Sequence, residues 1–220
     1  MSPKKLRSII ELGESDTVEF KRKFSGFEKI AREMIALANT RGGYLLVGVD
    51  DDGAIVGVES EKSEIDLIAT AAEFYSDPPI EHEVEIVQVE SLDVIVIRIP
   101  ESPLKPHRLL ENMQKKDPQQ NGFETGVYIR QGERSVAASR EVARVLAASS
   151  PDTPPLRLQI GDIEQALFQY LGRHGRITLQ QYRKLVNISE RRASRSLVRL
   201  VRAGLIRLFT NQSEDYYTLS

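Results

Sequence analysis

The strongest constraint on this chain is a break two thirds of the way along it. Ser149-Ser150-Pro151-Asp152-Thr153-Pro154-Pro155 sets three prolines among small polar residues. Proline fixes φ and lacks the amide that a helix or central strand needs, so the run reads as a linker. It divides 220 residues, enough for two modest cores, into parts of opposite charge. Residues 157–220 carry eleven Arg or Lys against five Asp or Glu, a net +6, which leaves −8 on the rest of a chain whose total is −2. A basic tail on an acidic body points to a polyanionic partner for the tail. The expected division is a domain over 1–148, a linker over 149–156 and a second domain over 157–220.

The first domain mixes the two secondary-structure periods. Val18 and Phe20 alternate with Glu19 and Lys21, a half-buried strand. Ser25 and Glu28 have capping-box spacing, and Ile30, Ala31, Met34, Ile35 and Ala38 then form one helical stripe. Gly42-Gly43 stops that helix. Tyr44 to Val49 is a near-continuous apolar run, and Asp50 to Gly53 turns it back into Ala54–Val58 as a hairpin. A second helix is predicted over 63–75, strands over 83–89 and 94–99, a surface loop over 101–125, a strand over 126–130 and a closing helix over 141–148.

Several function classes drop out. No run of eighteen apolar residues exists, so no membrane span is expected, and the basic start lacks the apolar segment of a secretory signal. The absence of cysteine removes disulfides and thiolate metal sites and fits a reducing cytoplasm. Nothing matches a Walker phosphate loop, so Gly42-Gly43 reads as helix stop and strand entry. His82, His107 and His174 have no ligand spacing.

Glu14, Glu19 and Asp51 are candidate partners in a carboxylate cluster, since Mg²⁺ or Mn²⁺ prefers hard oxygen ligands. Spacing alone does not require them to meet, and acidic residues at strand ends are commonly solvated charge. Lys21, with Arg22 and Lys23, lies beside the cluster and offers charge to phosphate. Arg130 and Arg134, either side of Gly132, offer the same.

These motifs together resemble the AlbA-like domain of the Schlafen family. The matching pieces are Glu14 five residues before the Glu of Val18-Glu19-Phe20-Lys21, Asn39-Thr40 with Gly42-Gly43, and Gly48-Val49-Asp50-Asp51. Tyr128-Ile129-Arg130-Gln131-Gly132 and Ala138-Ser139 resemble the family's closing strand and helix, so the likeness covers about 10–148. The resemblance implies an α+β fold with an AlbA-like mixed sheet and flanking helices. In endoribonuclease members the two glutamates and the second Asp hold the metal, which would place Glu14, Glu19 and Asp51 in that role. Nuclease members carry two tandem lobes and a structural zinc. This chain has one lobe and no cysteine; pairing with a second copy as a two-fold homodimer could rebuild a cleft.

Beyond the linker the order is helix, helix, helix, hairpin, that of a small winged helix-turn-helix domain. Asp162, Thr178 and Ser189 are the expected caps. In the third helix Ala193, Leu197, Leu200 and Val201 share one face, while Arg192, Arg195, Arg199 and Arg202 stack on another. No acid except Glu190 interrupts the row. Glu190, Arg191, Arg192 and Ser194 are expected to approach base edges, Arg195 and Arg199 phosphates, and Ser196 to add a hydroxyl. Asn211, Gln212 and Ser213 would form the wing tip.

The sequence therefore reads as a cytoplasmic, dimeric nucleic-acid-binding protein with duplex DNA favoured over RNA, a transcriptional regulator needing no cofactor. The alternative is a Mg²⁺- or Mn²⁺-dependent endoribonuclease using Glu14, Glu19 and Asp51.

Overall fold

The computed structural model describes residues 1–110, 126–149, 156, 158–210 and 214–220. Most of the expected linker, the second part of the 101–125 loop, and Asn211, Gln212 and Ser213 lie outside the described residues. The chain divides into two compact units, Met1–Ala138 and Ser139–Ser220.

The first unit runs α1 (Pro3–Glu11), β1 (Val18–Lys21), α2 (Phe27–Asn39), β2 (Gly42–Val47), α3 (Glu61–Phe74), β3 (Ser76–Asp77), β4 (Glu83–Val89), β5 (Leu92–Pro100), β6 (Arg108–Leu109), β7 (Tyr128–Gln131) and β8 (Arg134–Ala137). Its main sheet is mixed, in the order β1-β2-β5-β4. The β1–β2 pair is parallel and the other two pairs are antiparallel. This is the expected α+β arrangement of a mixed sheet with flanking helices.

Alternation along the strands explains the two cores. Leu45, Val47, Ile95, Ile97 and Ile99 pack with the α2 stripe and with Ile68, Ala71 and Ala72 of α3. Phe20, Leu46, Val94 and Val96 face the other way and pack with Leu6 of α1. Strands covered on both faces have no solvent side, so β2 and β5 read as continuous apolar runs. At Gly43 a Cβ would lie 2.1 Å from the Thr17 carbonyl oxygen, to which the Tyr44 amide donates at 2.8 Å. Only glycine allows β2 to enter that close to the start of β1.

Local departures from the sequence reading have simple causes. The α1 helix has no counterpart among the expected elements; Ser2 caps it, accepting from the Lys5 amide at 3.3 Å, with Pro3 in its first turn. The N-cap of α2 is Gly26, and Ser25 accepts from Lys29 Nζ instead of closing a capping box. Residues 54–58 form no strand. A single Val49–Ile55 bridge remains, and the Val56 and Gly57 amides both donate to Gly48 O at 2.9 Å. The strand expected over 126–130 is half of the β7–β8 hairpin.

The second unit runs α4 (Arg140–Ala148), α5 (Asp162–His174), α6 (Leu179–Leu185), α7 (Glu190–Arg202), β9 (Ile206–Phe209) and β10 (Tyr216–Leu219), with β9 and β10 antiparallel. Leu167, Leu171, Ile177, Tyr182, Leu197 and Leu200 are at its core. The sequence pattern assigns α4 to the end of the first domain; the structure puts it here, tied to α7. Ser194 Oγ donates to Glu141 Oε2 at 2.7 Å and accepts from Arg144 Nη1 at 2.8 Å. The proline run thus falls, in sequence, between two helices of one unit. Thr178 and Ser189 cap α6 and α7 as expected. Gly161 takes the place expected of Asp162, its amide donating to Glu164 Oε2 at 3.1 Å.

Candidate nucleic-acid interface

The capping Ser189 starts α7, and the burial of Ala193, Leu197 and Leu200 fixes its rotation. That rotation turns Arg191, Arg192, Arg195 and Arg199 to solvent and leaves Arg202 half-buried. Arg191, Arg192 and Arg195 make no ion pair among the described residues, and Arg199 has only a long one, Nη2 to Glu164 Oε1 at 3.9 Å. Unpaired guanidiniums on one helix face are open to phosphate oxygens, which their planar forks match two at a time.

Two serines expected at this face are buried. Ser194 is 2 % exposed, held between Glu141 and Arg144. Ser196 is 1 % exposed, donating to Glu164 Oε1 at 2.8 Å with the Tyr182 hydroxyl 3.2 Å away. Both flank the arginine face at its edges, where a short polar side chain is covered by the neighbouring helix. Glu190 is held at the α6–α7 corner, accepting from Gln180 Nε2 at 3.0 Å and Arg183 Nη1 at 3.3 Å. Sequence reasoning misses Glu141, Arg144 and Glu164, because the helices that carry them approach α7 only through tertiary packing.

In the first unit Arg130 is not a surface phosphate contact. Its side chain is fully buried, with Nη1 donating to Glu19 Oε2 at 2.6 Å, Glu33 Oε2 at 3.3 Å and Ser135 Oγ at 3.1 Å. Its Nη2 donates to Ser15 O at 2.6 Å. Lys21 Nζ bonds Glu19 Oε1 and donates to Phe20 O at 2.8 Å. Burial pulls the Lys21 ammonium down, but the bond to Glu19 and the surrounding carboxylates outweigh it and hold it above its ordinary value. Arg134 stays exposed beside the Gly132 turn.

The three carboxylates share a neighbourhood but not a point. Glu14 Oε1 accepts from the Phe20 amide at 2.8 Å. Burial raises its pKa against that bond, and the charges of Glu19 and Asp51 push it further up. Glu19 is 5 % exposed with both oxygens bonded to cations, while Asp51 is exposed in the turn after β2. Among the described residues no group of three His, Asp or Glu is disposed to hold a metal ion. A divalent ion would meet Glu19 only in competition with Lys21 on one oxygen or Arg130 on the other, so the residues as arranged do not fit one. Sequence reasoning also misses Glu33, which joins this cluster from α2. Burial raises its pKa and the charge of Glu19 adds to the rise, against the bond from Ser135.

The family comparison bears on the first unit. In the search of solved structures, 25 % identity links the chain to the N-terminal domain of a protein from Nitrosomonas europaea described as related to the ATP-dependent DNA helicase RecG, over 64 % of this chain and 93 % of that one, at a TM-score of 0.44. The DIP2311 protein from Corynebacterium diphtheriae is 20 % identical over 72 % of this chain and 29 % of its own, also at 0.44. No curated protein matches. The family described as "Schlafen, AlbA_2" matches residues 14–139. That span holds the β1–β2 core, the Gly42-Gly43 entry and the buried Arg130, and covers more than half of the chain, which therefore belongs to the Schlafen AlbA_2 family.

Proposed function

We propose that this chain binds nucleic acid, specifically duplex DNA, and acts as a transcriptional regulator, with its second unit serving as a winged helix-turn-helix. The observation that carries this reading is the α7 face, where among the described residues three arginines have no ion pair and a fourth only a long one. Membership of the Schlafen AlbA_2 family agrees with a nucleic-acid role. The element order supports the module: α6 and α7 are joined by Val186–Ser189, and the β9–β10 hairpin follows. In that arrangement α7 is the recognition helix, and Arg191 and Arg192 near its start approach base edges. Arg195, Arg199 and Arg202 take the phosphates, while Lys21 and Arg134 are secondary contacts on the first unit. A homodimer would space two α7 helices along a roughly palindromic site. The contact needs no metal or small cofactor.

The test is fluorescence anisotropy with a labelled duplex. The double variant Arg195→Ala/Arg199→Ala is expected to weaken binding by about tenfold or more, each charged hydrogen bond contributing about 1.5–3 kcal/mol at most. An unchanged affinity would refute the reading.

A further inference from the structure

The arginine face of α7 is not a free-standing ridge. It forms part of a concavity of about 770 Å³ to which the start of α5 and Arg144 of α4 also contribute. Five arginines line it: Arg144, Arg191, Arg192, Arg195 and Arg199. Two acids line it as well. Glu164 is 4 % exposed, already accepts from Gly161 N and Ser196 Oγ, and reaches Arg199 only at 3.9 Å; Asp162 is exposed at the start of α5, so the five arginines outnumber the acids. Among the described residues the lining contains no aromatic ring, so it offers no platform for a base. Its volume lies in the range of roughly 300–1,000 Å³ typical of small-ligand sites.

We propose that this cleft is a seat for a small ligand bearing linked phosphates, a pyrophosphate or triphosphate group, held by Arg192 and Arg195 with Arg144 as a further contact from α4. Several guanidinium forks around one hollow suit a short chain of phosphates, because each fork pairs with two oxygens and adjacent phosphates present oxygens on several sides. Arg144 is already oriented there by Glu141 Oε1 at 2.9 Å and Ser194 Oγ at 2.8 Å. The site shares its arginines with the DNA reading but does not depend on it. Free oligophosphate and duplex compete for the same groups, which gives the second unit a place for a phosphorylated effector.

Calorimetric titration of the full chain with inorganic triphosphate, free of divalent ions, tests this. One saturable site per chain is expected, with orthophosphate far weaker. Arg192→Ala/Arg195→Ala is expected to lower triphosphate affinity about tenfold or more, whereas Arg173→Ala, at the far end of α5, changes it by less than about twofold. Absence of a saturable site, or equal losses in the cleft and control variants, would overturn the proposal. The labelled duplex separates the two readings. Triphosphate bound by a chain that ignores duplex keeps the cleft and removes the DNA role, and duplex bound by a chain that ignores triphosphate does the reverse.

Discussion

Glu33 is a carboxyl that burial and the charge of Glu19 push towards its protonated form, against Ser135, Lys21 and Arg130. It lies beside Glu19, bonded by Ser135 and 3.3 Å from Arg130, and burial still leaves its pKa above the ordinary 4.5. A carboxyl that binds its proton more tightly in the fold than in the unfolded chain stabilises the fold at low pH. That contribution is full below the ordinary value and is lost as pH rises through the raised one. Thermal melts are therefore expected to show the native chain losing stability as pH rises from 4.5, relative to Glu33→Gln, which has no such proton to release. Parallel pH profiles for the two proteins would contradict this. Motif reading does not find Glu33: on α2 it is one polar residue beside an apolar stripe, and only β7 and β8 packing against that helix bring Arg130 and Ser135 to it. Glu14 and Glu19 are legible because their spacing belongs to the family pattern, yet the pattern does not show that cations from the protein itself already occupy Glu19.

At the scale of elements, Arg130 joins pieces that share no backbone ladder. From β7 it reaches Glu19 on β1, Glu33 on α2 and the Ser15 carbonyl before β1. Replacing it with Met would keep the bulk but leave the half-buried Glu33 with its Ser135 bond and no ion pair among the described residues, and Glu19 with Lys21 alone. The expected cost is about 3–5 kcal/mol, as for a buried pair that loses one partner. Chemical denaturation measures it, and a loss under about 1 kcal/mol would show that those acids reach water or protonate freely. Most of the helices and main-sheet strands here are readable from period and spacing, and so are two of the caps. The stripe from Ile30 to Ala38 and the caps Thr178 and Ser189 stand where the sequence places them. What is not readable is partnership. The α4 helix carries an ordinary amphipathic pattern, and nothing in Val142, Ala143 or Arg144 states that its companion is α7. For the same reason Ser194 and Ser196 look available in sequence, although neighbouring helices bury them.

Over the whole molecule, charge is divided by role. In the first unit the cations at the carboxylate cluster are engaged internally, Arg130 through both of its terminal nitrogens and Lys21 through Glu19 and the Phe20 carbonyl. In the second, core packing orients α7 so that Arg191, Arg192, Arg195 and Arg199 face solvent. A nucleic-acid contact by that unit is then dominated by released counterions, so affinity should fall steeply with salt. The proline run that divides the charge so clearly in sequence does not divide the structure at the same place, since α4 joins the second unit. Composition follows charge; the boundary follows packing. The most direct test is the slope of log affinity for duplex DNA against log salt, taken for the native chain and for Arg195→Ala/Arg199→Ala. Removing one guanidinium from a phosphate should make the slope shallower by about 0.9, so the account predicts a change of up to about 1.8 for the double variant. Identical slopes would contradict it, because the arginines of α7 would then not be touching the DNA backbone.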